Sequence, residues 1–288
     1  MFMPQTESQR IVSPAVGLQV TPVPAFADNY IWLIHPPTQP HKVVAVDPGD
    51  AQAVLGTLED AQLQLAGMLI THHHADHVDG VLELLNHYDV PVFGPATETL
   101  PGHPQRISEG HTVTLTELGL EFEVLELPGH TAGHIAYLGH GSLFCGDTLF
   151  SAGCGRLFEG TPAQMSASLS RLSALPTDTQ VYCTHEYTIS NLCFALTVEP
   201  RNQATQQYFR HAQTLRSQGQ PTLPSNIGTE LQINPFLRLD QPNVKAAATT
   251  HAGKTVDHAV DVFTVLRQWK DHFTPSPAQM SAGQWITD

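Results

Sequence analysis

The stretch that most restricts the fold runs from Leu65 to Tyr88. An unbroken apolar segment, Leu65 to Ile70, leads directly into Thr-His-His-His-Ala-Asp-His (Thr71 to His77), and apolar residues then recur at helical spacing from Asp79 to Tyr88. A short apolar run followed by a helical pattern reads as a buried strand feeding a helix, the repeating step of an α/β architecture. If the strand continues to about Thr71, its alternation puts His72 and His74 on one side and His73 on the other. Asp76 and His77 then fall where the chain turns into the helix. Neutral imidazole and carboxylate suit zinc, iron or manganese, and the short spacing supplies several ligands at little cost in loop closure. Two histidine pairs and a carboxylate exceed the needs of a single tetrahedral ion.

The rest of the chain sorts into two regions. From Leu18 to Asp147, short strands are separated by Pro, Gly and Asn turns, starting with a hairpin-like pair around Tyr30–Ile34 and Lys42–Val46; the segments 51–60 and 79–88 carry helical spacing. Glu121 and Glu123 alternate with Phe122 and Val124 in a half-buried strand, and Thr161 followed by Pro162 marks a helix start with Met165, Leu169 and Leu172 on one face. Beyond about Asn191 the pattern becomes helical. Ala204, Tyr208, Ala212 and Leu215 form one stripe, and Val256, Ala259, Val260, Phe263 and Leu266 another. The expected division is an extension over 1–17, a β-rich domain over 18–190 and a helical domain over 191–288.

Bulk properties exclude several function classes. With 13 basic against 27 acidic residues the formal charge is −14, which disfavours nucleic acid and anionic lipid as partners, and an anionic ligand needs a local basic patch. No apolar run reaches the length of a membrane span, and residues 1–10 lack the apolar core of a signal peptide, so the expectation is a cytoplasmic protein. The cysteines (Cys145, Cys154, Cys183 and Cys193) have no CxxC spacing, which points to reduced thiols, with Cys145 and Cys183 as buried strand residues. A monomer is expected.

Three further strands end in a residue that can bind a metal: His130 in Leu-Glu-Leu-Pro-Gly-His, Asp147 after Ser142–Gly146, and His185 after Gln180–Cys183. His134 reads as a supporting residue, because ligating histidines need hydrogen-bonded partners. With these residues in place, the chain resembles the metallo-β-lactamase-fold hydrolases, whose HxHxDH motif is matched by His72, His74, Asp76 and His77. The resemblance implies a four-layer αββα sandwich. It also implies two divalent ions, zinc first with iron or manganese as alternatives: His72, His74 and His130 on one, Asp76, His77 and His185 on the other, and Asp147 bridging.

The segments Cys145–Thr161, Thr184–Pro200, Ile233–Arg238 and Leu266–Phe273 extend the likeness to glyoxalase II, the hydroxyacylglutathione hydrolase family. That family resemblance implies a smaller C-terminal helical domain and a glutathione thioester held by Arg156, Tyr187, Arg267 and Lys270. Arg267 and Lys270 at i and i+3 would present two cations on one helix face to glutathione's carboxylates. Arg156 stands where many members carry Lys, and Phe158 where some carry Tyr. The implied reaction is attack of hydroxide on the thioester carbonyl of an S-(2-hydroxyacyl)glutathione, with Asp76 orienting the nucleophile, as in the second step of methylglyoxal detoxification. The competing readings are a one-iron persulfide dioxygenase or a nuclease of the same fold, and a noncatalytic metal-binding protein. Asp76, His77 and His185 weigh against the first by completing a second metal position; the acidic charge weighs against the second, and a donor set of imidazole and carboxylate, without the thiolates of a closed structural site, against the third.

Overall fold

The computed structural model describes residues 11–12, 17–276 and 279–280. The described residues divide into two compact units, one made of those up to 125 together with 137–144, the other of 126–136 together with those from 145 onward.

The first unit is organised by a seven-stranded sheet whose spatial order follows the sequence. Its strands are β1 (Ile11–Val12), β2 (Gln19–Ala25), β3 (Asn29–His35), β4 (Lys42–Val46), β5 (Gln64–Leu69), β6 (Val92–Pro95) and β7 (Gln105–Ile107). Pairing is antiparallel from β1 to β4 and parallel from β4 to β7. The change falls where the first crossover helix enters. Helix α1 (Ala51–Asp60) is started by Asp50, whose carboxylate accepts from the amides of Gln52 and Ala53. It buries Ala51, Val54 and Leu58 against Val43, Met68 and Ile31 of the sheet. A single-turn helix α2 (Ala75–Val78) and α3 (Val81–His87) then return the chain from β5 to β6. The alternation of strand and helix, and the antiparallel pairing of β3 with β4, are as the Pro and Gly turns between apolar segments lead one to expect. Part of the expected 1–17 extension lies outside the described residues; Ile11–Val12 pairs with β2.

Two antiparallel pairs complete the unit. Strand β8 (Thr112–Leu115) pairs with β9 (Leu120–Glu126), and β10 (Ile135–Gly139) with β11 (Ser142–Gly146), Tyr137 facing Phe144. In β9, Phe122 and Val124 are buried and Glu121 and Glu123 exposed, as their alternation requires.

The second unit carries the short hairpin β12 (Leu149–Phe150) and β13 (Gly153–Cys154), helix α4 (Pro162–Ser173), and β14 (Gln180–Cys183) paired with β15 (Ser225–Asn226). Its remaining helices are α5 (Thr188–Val198), α6 (Gln203–Ser217), α7 (Ile227–Ile233), α8 (Pro242–Ala252) and α9 (Ala259–Asp271). Thr161 caps α4 in a reciprocal capping box with Gln164. Two expected helix faces are rotated. In α6 the deepest residues are Thr205, Phe209 and Ala212, with Ala204 and Tyr208 only partly buried. In α9 the buried face is Val262, Phe263, Leu266 and Arg267, while Val260 is 40% exposed. Counting the stripe from Val256 misplaced that face, since Val256 precedes the helix and His258 is its N-cap.

Candidate metal centre and substrate cavity

In the first unit the ligand-bearing segment starts where β5 ends, at Leu69, one residue after which the Ile70 carbonyl accepts from the buried Tyr137 hydroxyl at 2.8 Å. The strand stops earlier than expected: His72 to His74 lie on the connection to α2, and Asp76 and His77 within α2 itself. Their sorting nevertheless follows the expected sides. His72 is fully buried with Nε2 3.0 Å from Nδ1 of His74, whereas His73 turns away to Glu98 at 3.0 Å. His77 is fully buried, its ring 4.0 Å from that of His72, with Nε2 3.5 Å from Asp76 Oδ2.

Asp47, at the end of β4, organises these donors. Its carboxylate accepts from the Thr71 amide and hydroxyl, both at 2.8 Å, and lies 3.1 Å from Nδ1 of His77. The Thr71 hydroxyl, having given its proton to Asp47, accepts from Nδ1 of His72 at 3.1 Å. The His72 imidazole thereby carries its proton on Nδ1, which leaves Nε2, the nitrogen beside His74, as its lone-pair donor. Asp76 Oδ2 accepts from Asn29 Nδ2 at 2.9 Å. A side chain at Gly49 would collide with the Asp76 carbonyl, so only glycine lets the loop after Asp47 approach α2.

In the second unit, Asp147 Oδ2 lies 3.4 Å from Nε2 of His130 and 3.3 Å from Nε2 of His185. Nδ1 of His130 donates to the Arg156 carbonyl at 2.8 Å, which makes Nε2, the nitrogen facing Asp147, the deprotonated one. The buried His134 accepts from the Asp147 amide at 3.2 Å and hydrogen-bonds Thr148, the supporting role its position suggested. The His185 ring stacks on Tyr187 at 4.7 Å, and the Phe150 ring meets both edge-on.

These donor sets fit a divalent cation. Imidazole nitrogens bind zinc at about 2.0–2.1 Å, so two ligands of one ion stand about 3 Å apart. The spacings between His72 and His74, and from Asp147 to His130 and His185, are of that order.

Arg156, Tyr187, Arg267 and Lys270, expected to bind substrate, line one cavity of about 490 Å³ together with His130 and Asp147. Their states differ from a simple cationic face. Arg267 is 5% exposed, donating to the Cys154 carbonyl at 2.8 Å and from Nε to Asp271 Oδ1 at 3.2 Å, its guanidinium over the Phe236 ring. Lys270 lies 3.3 Å from the Ser190 hydroxyl, and burial, then the charge of Arg267, lowers its pKa to about 8. Arg156 is the most open cation, with Nε 3.7 Å from the same Asp271 carboxylate. Phe158 stands edge-on to the His130 ring at 5.3 Å. Asp271 was readable only as an i+4 partner of Arg267, and Asp47 only as a turn residue after a strand.

Comparison with known proteins agrees with this geometry. Residues 28–185 match the metallo-beta-lactamase superfamily, and residues 186–273 match the C-terminal region described as hydroxyacylglutathione hydrolase C-terminus. Among solved structures, ETHE1 from Myxococcus xanthus superposes with a TM-score of 0.58 at 24% identity, over 90% of this chain and 96% of that one. A second, TTHA1623 in a di-iron-bound form, gives 0.54 at 26% identity over 75% and 99%. The fold is that of the metallo-β-lactamase superfamily, an α/β sandwich class as the sequence led us to expect. Within it, hydroxyacylglutathione hydrolase from Aeromonas hydrophila is 55% identical over 88% of this chain and 99% of its own length, and that from Photobacterium profundum 52% identical over 89% and 100%. The chain belongs to the hydroxyacylglutathione hydrolase family.

Proposed function

We propose that the chain is a binuclear metal-dependent thioesterase that hydrolyses S-(2-hydroxyacyl)glutathione, S-D-lactoylglutathione first, to glutathione and a 2-hydroxy acid. That is the second step of methylglyoxal detoxification. One observation carries the reading: a single cavity is lined at once by metal-type donors, His130 and Asp147, and by the cations Arg156 and Lys270. Relatives at about half identity, named for this hydrolase, favour it over a dioxygenase.

In this reading His72, His74 and His130 would hold one ion and Asp76, His77 and His185 the other, with Asp147 as a ligand shared by the two. Zinc is the ion proposed; iron and manganese suit the same donors, and one structural neighbour is named for its di-iron form. When bound, such ions supply Lewis acidity that makes hydroxide available near neutral pH and polarises the thioester carbonyl. Asp76, held by Asn29, orients the attacking hydroxide. Arg156 and Lys270 attract the carboxylates of glutathione, Tyr187 walls the cavity beside His185, and Arg267 fixes the cavity floor through Cys154. The leaving thiol has a pKa of about 8.5, close to that of cysteine, so it departs as thiolate without a strong general acid.

The proposed domain assignment is catalytic over 18–190 and substrate-binding over 191–288, after the 1–17 extension. We place the protein in the cytoplasm as a monomer without nucleic acid or membrane partners, in keeping with its charge of −14 and with the absence, among the described residues, of a helix long and apolar enough to cross a membrane. The test is metal analysis alongside S-D-lactoylglutathione hydrolysis before and after chelation. About two ions per chain and activity that is lost with them are expected; full activity in metal-free protein overturns the reading.

A further inference from the structure

The hairpin β12–β13 is gripped at each residue from Phe150 to Cys154 by a side chain from the helical part of its own unit. Asn234 Nδ2 donates to the carbonyls of Phe150 at 3.1 Å and Gly153 at 2.9 Å. Asn191 Nδ2 donates to the Ser151 carbonyl at 3.0 Å, and Arg267 to that of Cys154 at 2.8 Å. The Ala152 amide donates to Glu230 Oε2 at 2.8 Å. Asn234 and Glu230 are themselves fully buried and joined at 3.0 Å; Ser225 donates to the other Glu230 oxygen, and Phe236 N to Asn234 Oδ1 at 3.0 Å.

Such a network is costly to bury and adds little that apolar packing would not add to stability. What apolar packing cannot supply is a fixed backbone. Ala152 holds a left-handed conformation, φ +55°, without being glycine, so the hairpin tip depends on its surroundings to keep its shape. The hairpin starts two residues after Asp147 and ends two residues before Arg156. Its Phe150 packs on His185 and Tyr187, and Phe150 and Cys154 line the cavity.

We propose that Asn234 and Glu230, neither of which lines the cavity, are positioning residues for glutathione recognition: they clamp the Leu149–Cys154 hairpin in the one shape that completes the substrate cavity. This proposal rests on the thioesterase reading above. It also gives a role to the Ile-Asn-Pro-Phe-Leu-Arg segment (Ile233–Arg238), which the reaction itself does not use.

The test uses the metal-loaded full chain and compares wild type with Asn234→Ala, Glu230→Ala and Glu230→Gln. Three readouts are needed: kcat and KM for S-D-lactoylglutathione and for a short lactoyl thioester lacking glutathione, the Kd of S-methylglutathione, and amide hydrogen exchange at Ala152. Both alanine variants are expected to raise KM for the glutathione thioester and Kd for the thioether about tenfold, the cost of one or two lost buried hydrogen bonds. Their kcat, and their kinetics on the short thioester, stay within about twofold. Exchange at Ala152 accelerates even in Asn234→Ala, which leaves the Glu230 acceptor in place. Glu230→Gln keeps an oxygen for Ala152 and turns its amino group to Ser225, so it restores wild-type values. Should Asn234→Ala not fold, Asn234→Ser, too short to reach either carbonyl, is expected to give the same KM shift. Unchanged KM and Kd, equal loss on both thioesters, or a glutamine variant as impaired as alanine overturns the proposal. A wild-type chain that hydrolyses no glutathione thioester refutes the functional reading separately; unaltered Ala152 exchange in Asn234→Ala then refutes the clamp on its own.

Discussion

At the scale of single residues, the cations around the cavity are not interchangeable. Arg267 is neutralised by Asp271 and committed to a backbone carbonyl, whereas Lys270 faces Ser190 in a partly dry site. Burial and the neighbouring Arg267, with a smaller push from Arg156, lower the Lys270 pKa from 10.5 to about 8, against the opposite pull of Cys193 and Cys154. Below that value Lys270 is charged and attracts a carboxylate; above it the attraction is lost. KM for a glutathione thioester is therefore expected to rise as the pH passes about 8. In Lys270→Arg, whose guanidinium stays charged, the rise disappears. A KM profile across this range, with kcat followed in parallel, checks both statements. Asp47 offers a second handle. Its carboxylate lies 3.1 Å from Nδ1 of the fully buried His77, and Asp47→Asn removes the negative charge beside that ring and puts a neutral amide there instead. About 10–100-fold weaker binding of one of the two ions is expected, read by titration with a chelator of known affinity.

At the scale of elements, what the sequence disclosed depended on how local each cause is. The turn from β5 into α2 was visible because His72, His74, Asp76 and His77 are crowded together, and the start of α4 because Thr161 and Pro162 are adjacent. Asp50 as the cap of α1 is equally local. The helix faces were less legible. In α6, Phe209 and not Tyr208 is the deepest aromatic, a choice made by α5 and Ile233 and not by the spacing of α6 itself. In α9 a buried arginine takes a place that periodicity assigns to an apolar residue, because Asp271, Cys154 and the Phe236 ring are there to receive it. The clamp on the β12–β13 hairpin was illegible for the same reason, since Asn234 is more than eighty residues from the carbonyl of Phe150. The local causes carry their own prediction. Thr161→Ala removes one half of the capping box and is expected to cost about 1 kcal/mol. Thr161 does not line the substrate cavity, so the urea midpoint falls while KM is unchanged; equal movement of KM would mean that α4 helps shape the cavity.

For the whole molecule, the proposed ligands are divided: His72, His74, Asp76 and His77 come from one unit, and His130, Asp147 and His185 from the other. Each unit has its own buried apolar cluster, so neither owes its core to a metal. His72 and His77 are fully enclosed and Asp147 is 6% exposed; Thr71 fixes the tautomer of His72, Asp47 stands 3.1 Å from His77, and His134 holds the Asp147 amide. Such prepared groups lose most of their compensation when no cation is bound, whereas in the unfolded chain they are solvated. Metal binding to the native state alone adds RT ln(1 + [M]/Kd), about 2.7 kcal/mol at a free ion concentration one hundred times Kd. Chelation is therefore expected to lower thermal stability as well as activity, and zinc to restore both. The same titration on His72→Ala, which deletes one enclosed ligand, should show a smaller stabilisation by zinc. Thermal melts at fixed protein concentration and graded free zinc measure the effect. A melting temperature independent of zinc would mean that these histidines and carboxylates are held by the protein alone, and would count against a metal centre built from them.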